Sequence, residues 1–228
     1  MLNLDYSYNL AVESAYIITL KGNPISEQMS ARCQKSLADL DMPYKVWDAY
    51  DGTSNKNIII PEQCRDKSYM SWLKWVDKEL SLSEVSAALS HISLWAHCIE
   101  IDQPIIILEH DAIMLQKITD HPVTGVLHYL GCYEQAKKGW PTLLTPPHAT
   151  NGHNYHFICR AHAYGIDPWA AKNAMAHVLK YGINESLDIM LRSDIIPAIQ
   201  LGLYAYDESD IANTTITGRK TTTDGKQR

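Results

Sequence analysis

Residues Ile105-Ile106-Ile107-Leu108 form an unbroken apolar run that stops at Glu109-His110-Asp111 and resumes at Ala112-Ile113-Met114. Four β-branched or leucine side chains in succession read as a buried strand, central in a sheet. Acids directly after such a strand are not core. They stand where the strand emerges, at the carboxyl edge of an α/β sheet, where ligands bind. Two carboxylates one residue apart suit a divalent metal carrying a diphosphate, because hard cations take oxygen ligands and bridge phosphate oxygens. The plain alternative for the same tripeptide is a turn that solvates a strand end.

The rest of the chain builds around that strand. Ala15 to Leu20 reads as a first strand. Asn23-Pro24 offers a cap followed by proline at the first helical position, and Ile25, Met29, Leu37 and Leu40 share one face, which predicts a helix to about Leu40. Tyr44 to Trp47 reads as a second strand, ending in the acidic turn Asp48-Ala49-Tyr50-Asp51-Gly52. Strand, helix, strand opens a parallel α/β sheet. Ser81-Leu82-Ser83-Glu84 is a capping box. The helix it starts carries Val85, Leu89, Ile92, Ala96 and Ile99 on a core stripe, with Glu84, Ala88, His91 and Trp95 beside it. A Trp-rich piece (Trp72, Trp75) precedes it. Further on, Val126–Gly131 reads as a strand, Lys137–Asn154 as a long lid or binding loop, and Tyr155–Ile166 as strand pieces. Asp167-Pro168 starts a helix that Gly182 ends, Asp188 begins another through Leu191, and Gly202–Tyr206 is a late strand. Residues 1–212 form the expected single domain, and 213–228 a polar tail, either mobile or ordered by ligand.

A chain of 228 residues holds a sizeable core, and its net charge of −6 offers no footprint for duplex DNA, although a local basic patch stays open. Five scattered cysteines without a C-x-x-C fit reduced thiols in a cytoplasmic protein. Neither a signal peptide nor an apolar run near the ~20 residues of a membrane span is evident.

Taken in order, several segments resemble glycosyltransferase family 25, the lipooligosaccharide and procollagen galactosyltransferase type. Ser83-Glu84-Val85-Ser86-Ala87-Ala88-Leu89-Ser90-His91-Ile92-Ser93-Leu94-Trp95 is similar to the family's GE-x-GC-x-x-SH-x-x-x-W, and Leu108-Glu109-His110-Asp111 to its LEDD. Asp48-Ala49-Tyr50-Asp51-Gly52 resembles DA-x-DG, Leu130-Gly131 the family's yLG, and His162-Ala163-Tyr164 its HAY segment. The likeness runs from about Tyr16 to about Tyr206. Three departures stand out: His110 replaces the middle acid, Ser86-Ala87 replaces Gly-Cys, and Thr19-Leu20-Lys21-Gly22 replaces the NLD-x-R opening. Small size and these departures also fit a virus- or phage-encoded member.

The resemblance implies a GT-A-like α/β domain with a mixed, mainly parallel central sheet flanked by helices. It implies transfer of a hexose from a nucleotide-sugar, a UDP-sugar by expectation, to an acceptor hydroxyl, assisted by Mn²⁺ or Mg²⁺ and inverting. Asp111 is the first expected metal ligand, with Glu109 on ribose or metal-bound water and His110 as a third ligand. For His110 the plain alternative is a side chain turned away, since adjacent strand residues face opposite sides. Asp188 matches the family's later acid and is the expected general base, or else a helix cap. Thr19, Leu20, Asp51 and Gly52 fall to the donor, and Arg219 in the tail to its diphosphate. Glu84, His91 and His162 are expected at the acceptor, the first two alternatively as a buried bond pinning helix to sheet. The acceptor class stays open between a saccharide, a hydroxylated protein side chain and a hydroxylated nucleobase in DNA.

Two other classes compete. His148, His153, His156 and His162 crowd one region, as in a metal-dependent hydrolase, but lack a recognised ligand spacing. A non-catalytic sugar- or nucleotide-binding protein on a degenerate transferase scaffold is the other.

Overall fold

The computed structural model describes residues 8–9, 15–54, 56–67, 71, 73, 76–118, 122–123, 125–131 and 161–207. The loop 137–154, the Trp72 and Trp75 piece, His148, His153, His156 and the tail with Arg219 lie outside them.

In chain order the elements are β1 (Tyr8–Asn9), β2 (Ala15–Thr19), α1 (Pro24–Asp39), β3 (Tyr44–Asp48), α2 (Leu82–Ile101), β4 (Ile105–Glu109) and β5 (Ala112–Met114). After them come β6 (Pro122–Val123), β7 (Leu127–Gly131), β8 (Ala163–Ile166), α3 (Pro168–Tyr181), the single turn α4 (Leu187–Met190) and β9 (Ala198–Asp207). Seven strands form one sheet in the order β3-β2-β4-β8-β7-β9-β5, while β1 and β6 pair separately. β3, β2, β4, β7 and β9 point one way, and β8 and β5 the other. The result is the expected single α/β layer structure: a mixed, mostly parallel sheet with flanking helices, consistent with a GT-A-like fold.

The helices begin where their caps predict. The Asn23 side chain accepts from Ser26 N, ahead of Pro24. Ser81 and Glu84 close a reciprocal capping box on α2. Asp167 caps α3 by accepting from Ala170 N at 2.8 Å, and its second oxygen accepts from Gly125 N at 2.7 Å. α4 departs from expectation: Ser186 is its cap residue and Asp188 lies inside its first turn.

Alternation along β4 sorts the core into two layers. Ile105 and Ile107 pack with α2 and α3 residues such as Leu89, Trp95 and Ala174. Ile106 and Leu108 pack against α1 through Cys33 and Leu37. β9 is twice the length of the expected late strand. It pairs with β7 through Ala198–Gln200, shifts register, and reaches β5 through Ala205–Asp207. Gly202, at φ 111°, lies within that bend, a backbone region that favours glycine. This crossing curls the sheet, so the end of β9 joins the turn between β4 and β5.

A row of serines on α2 docks the β3 exit. Trp47 Nε1 donates to Ser93 Oγ (2.9 Å) and Tyr50 N to Ser90 Oγ (2.9 Å), while Ser83 Oγ donates to Gly52 O (3.5 Å). The described cysteines, Cys33, Cys64 and Cys98, are free and buried. Burial pushes all three thiols upward, Cys33 to about 12, which suits inert core residues.

Candidate functional site

The carboxyl edge of the sheet gathers four acids from three elements and one turn: Glu109 at the end of β4, Asp111 in the following turn, Asp188 in α4 and Asp207 at the end of β9. Burial is the largest cause lifting the Glu109 carboxyl to about 8, and the Asp188 and Asp207 carboxylates add to it. Glu109 keeps 33% of its side chain open, and solvent tempers the push. Asp111 is lifted to about 6 by burial and by Glu109, with Asp207 adding, while His110 and His162 work against the rise. The cluster is electrostatically crowded, and its neighbouring carboxylates favour the protonated forms of Glu109 and Asp111.

Strand alternation decides the directions at the β4 end. Glu109 leaves on the α2 side, where His91 Nε2 stands 3.3 Å from its Oε1. His110 leaves on the α1 side, and its Nδ1 meets Ser26 Oγ at 3.1 Å. That hydroxyl also accepts from Leu20 N at 2.9 Å, so one buried serine ties the β2 exit, α1 and the β4–β5 turn together. Among the described residues no group of three or more His, Cys, Asp or Glu side chains is assembled to hold a metal. Glu109 and His110 leave on opposite sides of the strand. Asp111 offers an unused donor atom: its Oδ1 is buried and has no hydrogen-bond partner among the described residues. A buried carboxylate oxygen left this way fits a cation that brings its remaining oxygen ligands with it, as Mg²⁺ and Mn²⁺ on a diphosphate do.

The other anticipated residues are placed as follows. Thr19 turns inward, its hydroxyl donating to Ser30 Oγ at 2.7 Å. Asp51 Oδ1 accepts from Thr53 N and Thr53 Oγ1 at 2.8 and 2.6 Å. Gly52 packs so close to α2 that a Cβ there would lie 2.2 Å from Leu82 O, so its smallness serves a helix contact. Glu84 closes the α2 capping box. His91 is buried beneath Glu109, and burial pushes its imidazole down to about 3, which keeps it neutral. His162 is buried next to β8, and its backbone oxygen accepts from Glu109 N at 2.8 Å. Gly131 faces its ring: a Cβ there would stand 2.3 Å from His162 Cε1. Asp188 lies near enough to Glu109 and His91 to act on both electrostatically.

The sequence model of glycosyltransferase family 25 (LPS biosynthesis protein) matches residues 12–129, just over half of the chain. The chain belongs to glycosyltransferase family 25. The span matched to family 25 covers β2 through most of β7, and so includes Glu84, His91 and the Glu109-His110-Asp111 turn. His162, Tyr164, Asp188 and Asp207 lie beyond it and join the same edge through the fold. No curated protein matches the chain. No helix among the described residues is long and apolar enough to cross a membrane.

Two participants escape the sequence reading. Asp207 ends a strand as Glu109 does, but a strand only half apolar, and extending the expected Gly202–Tyr206 strand by one residue would have reached it. Ser26 carries no such signal, since a serine in a first helical turn is ordinary.

Proposed function

We propose that this family 25 glycosyltransferase moves a hexose from a nucleotide-sugar, a UDP-sugar, to an acceptor hydroxyl with inversion. The observation that carries this reading is the crowded carboxylate edge around Glu109 and Asp111, with its buried, unsatisfied Asp111 Oδ1. A diphosphate is repelled by such an edge unless a cation accompanies it.

Asp111 would hold Mn²⁺ or Mg²⁺, and Glu109 would accept from the ribose or from water on the ion. The bound cation offsets the charge of the departing nucleotide diphosphate. Asp188 would take the proton of the acceptor hydroxyl, in line with the bond being broken. Arg219 and the threonines of the tail would cover the diphosphate oxygens. His162 would border the acceptor.

The test is a thermal-shift screen of UDP, UDP-glucose and UDP-galactose, each with Mn²⁺, with Mg²⁺ and with EDTA. Near-saturating ligand that binds only the folded protein raises its melting temperature by roughly 5–10 °C for a domain of this size. A cation-dependent rise with one nucleotide-sugar supports the reading. Absence of any rise, with and without metal, overturns it in favour of a degenerate, non-catalytic scaffold.

A further inference from the structure

The aromatic rings beneath Glu109 form a hydrogen-bond chain with a single possible direction. Trp95 Nε1, which can only donate, gives its proton to Tyr164 Oη at 2.9 Å. Tyr164 is fully buried, and among the described residues the only acceptor for its own hydrogen is His91 Nδ1, at 2.8 Å. Nδ1 must therefore be the bare nitrogen of a neutral imidazole, and the proton sits on Nε2. Nε2 is the atom that faces Glu109 Oε1 at 3.3 Å. The His91 and Tyr164 rings stack at 5.7 Å with planes 15° apart, which fixes the imidazole's orientation as well as its tautomer.

We infer that His91 is a positioning residue, not an acceptor contact: the chain Trp95→Tyr164→His91 keeps the protonated Nε2 edge beside Glu109 Oε1 and leaves Oε2 as the oxygen presented to ligand. The chain starts in the core of the α2 layer, so its direction does not depend on what occupies the site. A Glu109 held this way receives a hydrogen bond from a ligand hydroxyl or from water on a cation, and it turns away phosphate oxygens. The inference rests on the proposed role of Glu109 at the donor, while the tautomer itself stands apart from that role.

The decisive experiment is two-bond ¹H–¹⁵N correlation spectroscopy of the full chain labelled at histidine nitrogen, with His91 assigned by His91→Gln. The expected result is one Nε2–H tautomer for His91 in the wild-type protein, lost in Tyr164→Phe and kept in Glu109→Gln. An Nδ1–H tautomer in the wild type, or an unchanged tautomer in Tyr164→Phe, overturns the inference. Should Tyr164→Phe fail to fold, the wild-type spectrum still decides. Hydrolysis of UDP-glucose or UDP-galactose with Mn²⁺ supplies the second readout. Tyr164→Phe is expected to lower kcat roughly tenfold with KM little changed, as loss of an outer hydrogen-bonding partner does. The double variant Tyr164→Phe/Glu109→Gln should fall no further than Glu109→Gln alone. Full additivity of the two losses counts against positioning. A wild-type protein without turnover on any nucleotide-sugar counts against the proposed function, and leaves the tautomer result standing.

Discussion

At Asp111 a full negative charge is buried beside other acids, and the fold gains nothing from it. Asp111→Asn keeps the volume and removes that charge. Turnover should fall by more than the roughly 100-fold that loss of an outer partner costs, while the melting temperature stays within about 2 °C of wild type. An Asp111→Asn enzyme that retains turnover would sink the cation role. Asp188→Asn separates base from binder. A general base contributes roughly 10²–10⁴-fold to rate, so kcat should drop by about that factor while the UDP-dependent thermal shift is unchanged. A lost shift with intact kcat would assign Asp188 to donor binding instead. His110 shows how far residue-level reading reaches. Strand alternation alone allowed that it would leave on the face opposite Glu109, and the fold puts it there, bound to Ser26. Its partner is 84 positions away in the chain, and no local pattern names it.

Among the elements, those with explicit punctuation were the most legible. α1, α2 and α3 each start at a cap that the sequence displays, because capping is a bond between neighbours. β5 has three residues and no period to detect, and half of β9 is polar or small, so pairing across the curled sheet defines both. Asp188 looked like a cap because aspartate fills that place well, and Ser186 takes it without a side-chain hydrogen bond. Contacts between elements also set the value of the two glycines. Gly52→Ala brings a methyl against backbone, and Gly131→Ala brings one against the His162 ring. Each should cost about 1–3 kcal/mol in urea unfolding, as overpacking does, and Gly52→Ala the more because helix backbone cannot swing aside. Equal stability of Gly52→Ala and wild type would mean that the β3 exit does not pack on α2 as described. Gly131→Ala should also move the ring resonances of His162.

For the molecule as a whole, the carboxylate edge sets a pH dependence. The Glu109 carboxyl rises from an ordinary 4.5 to about 8 in the fold, and Asp111 from 3.8 to about 6. Groups raised in this way bind protons more tightly when folded. Their favourable contribution is complete below the unfolded values and is lost as pH climbs through the folded ones. Buried His91 has the opposite sign, losing stability as pH falls below its ordinary 6.5. The comparison of variants isolates the acids: between about pH 5 and pH 8, wild type should lose stability relative to Glu109→Gln, with the gap widest at the alkaline end. Parallel curves for the two proteins would show that Glu109 is not raised. The scale of the site also explains what sequence could yield of it. Glu109 and Asp111 announce themselves by position at a strand end, whereas the company of Asp207 is a product of a strand crossing the sheet and that of Asp188 of the packing of α4. One further property belongs to α2. Its serines grip the stretch from Trp47 to Gly52, and its His91 and Trp95 grip Tyr164 and stand under Glu109. A single rod thus works as the shared chassis of the β3 exit and the β4 end. A change in the tilt of that rod would be felt at the β3 exit and at the β4 end together, so the two ends move as linked parts of one lever.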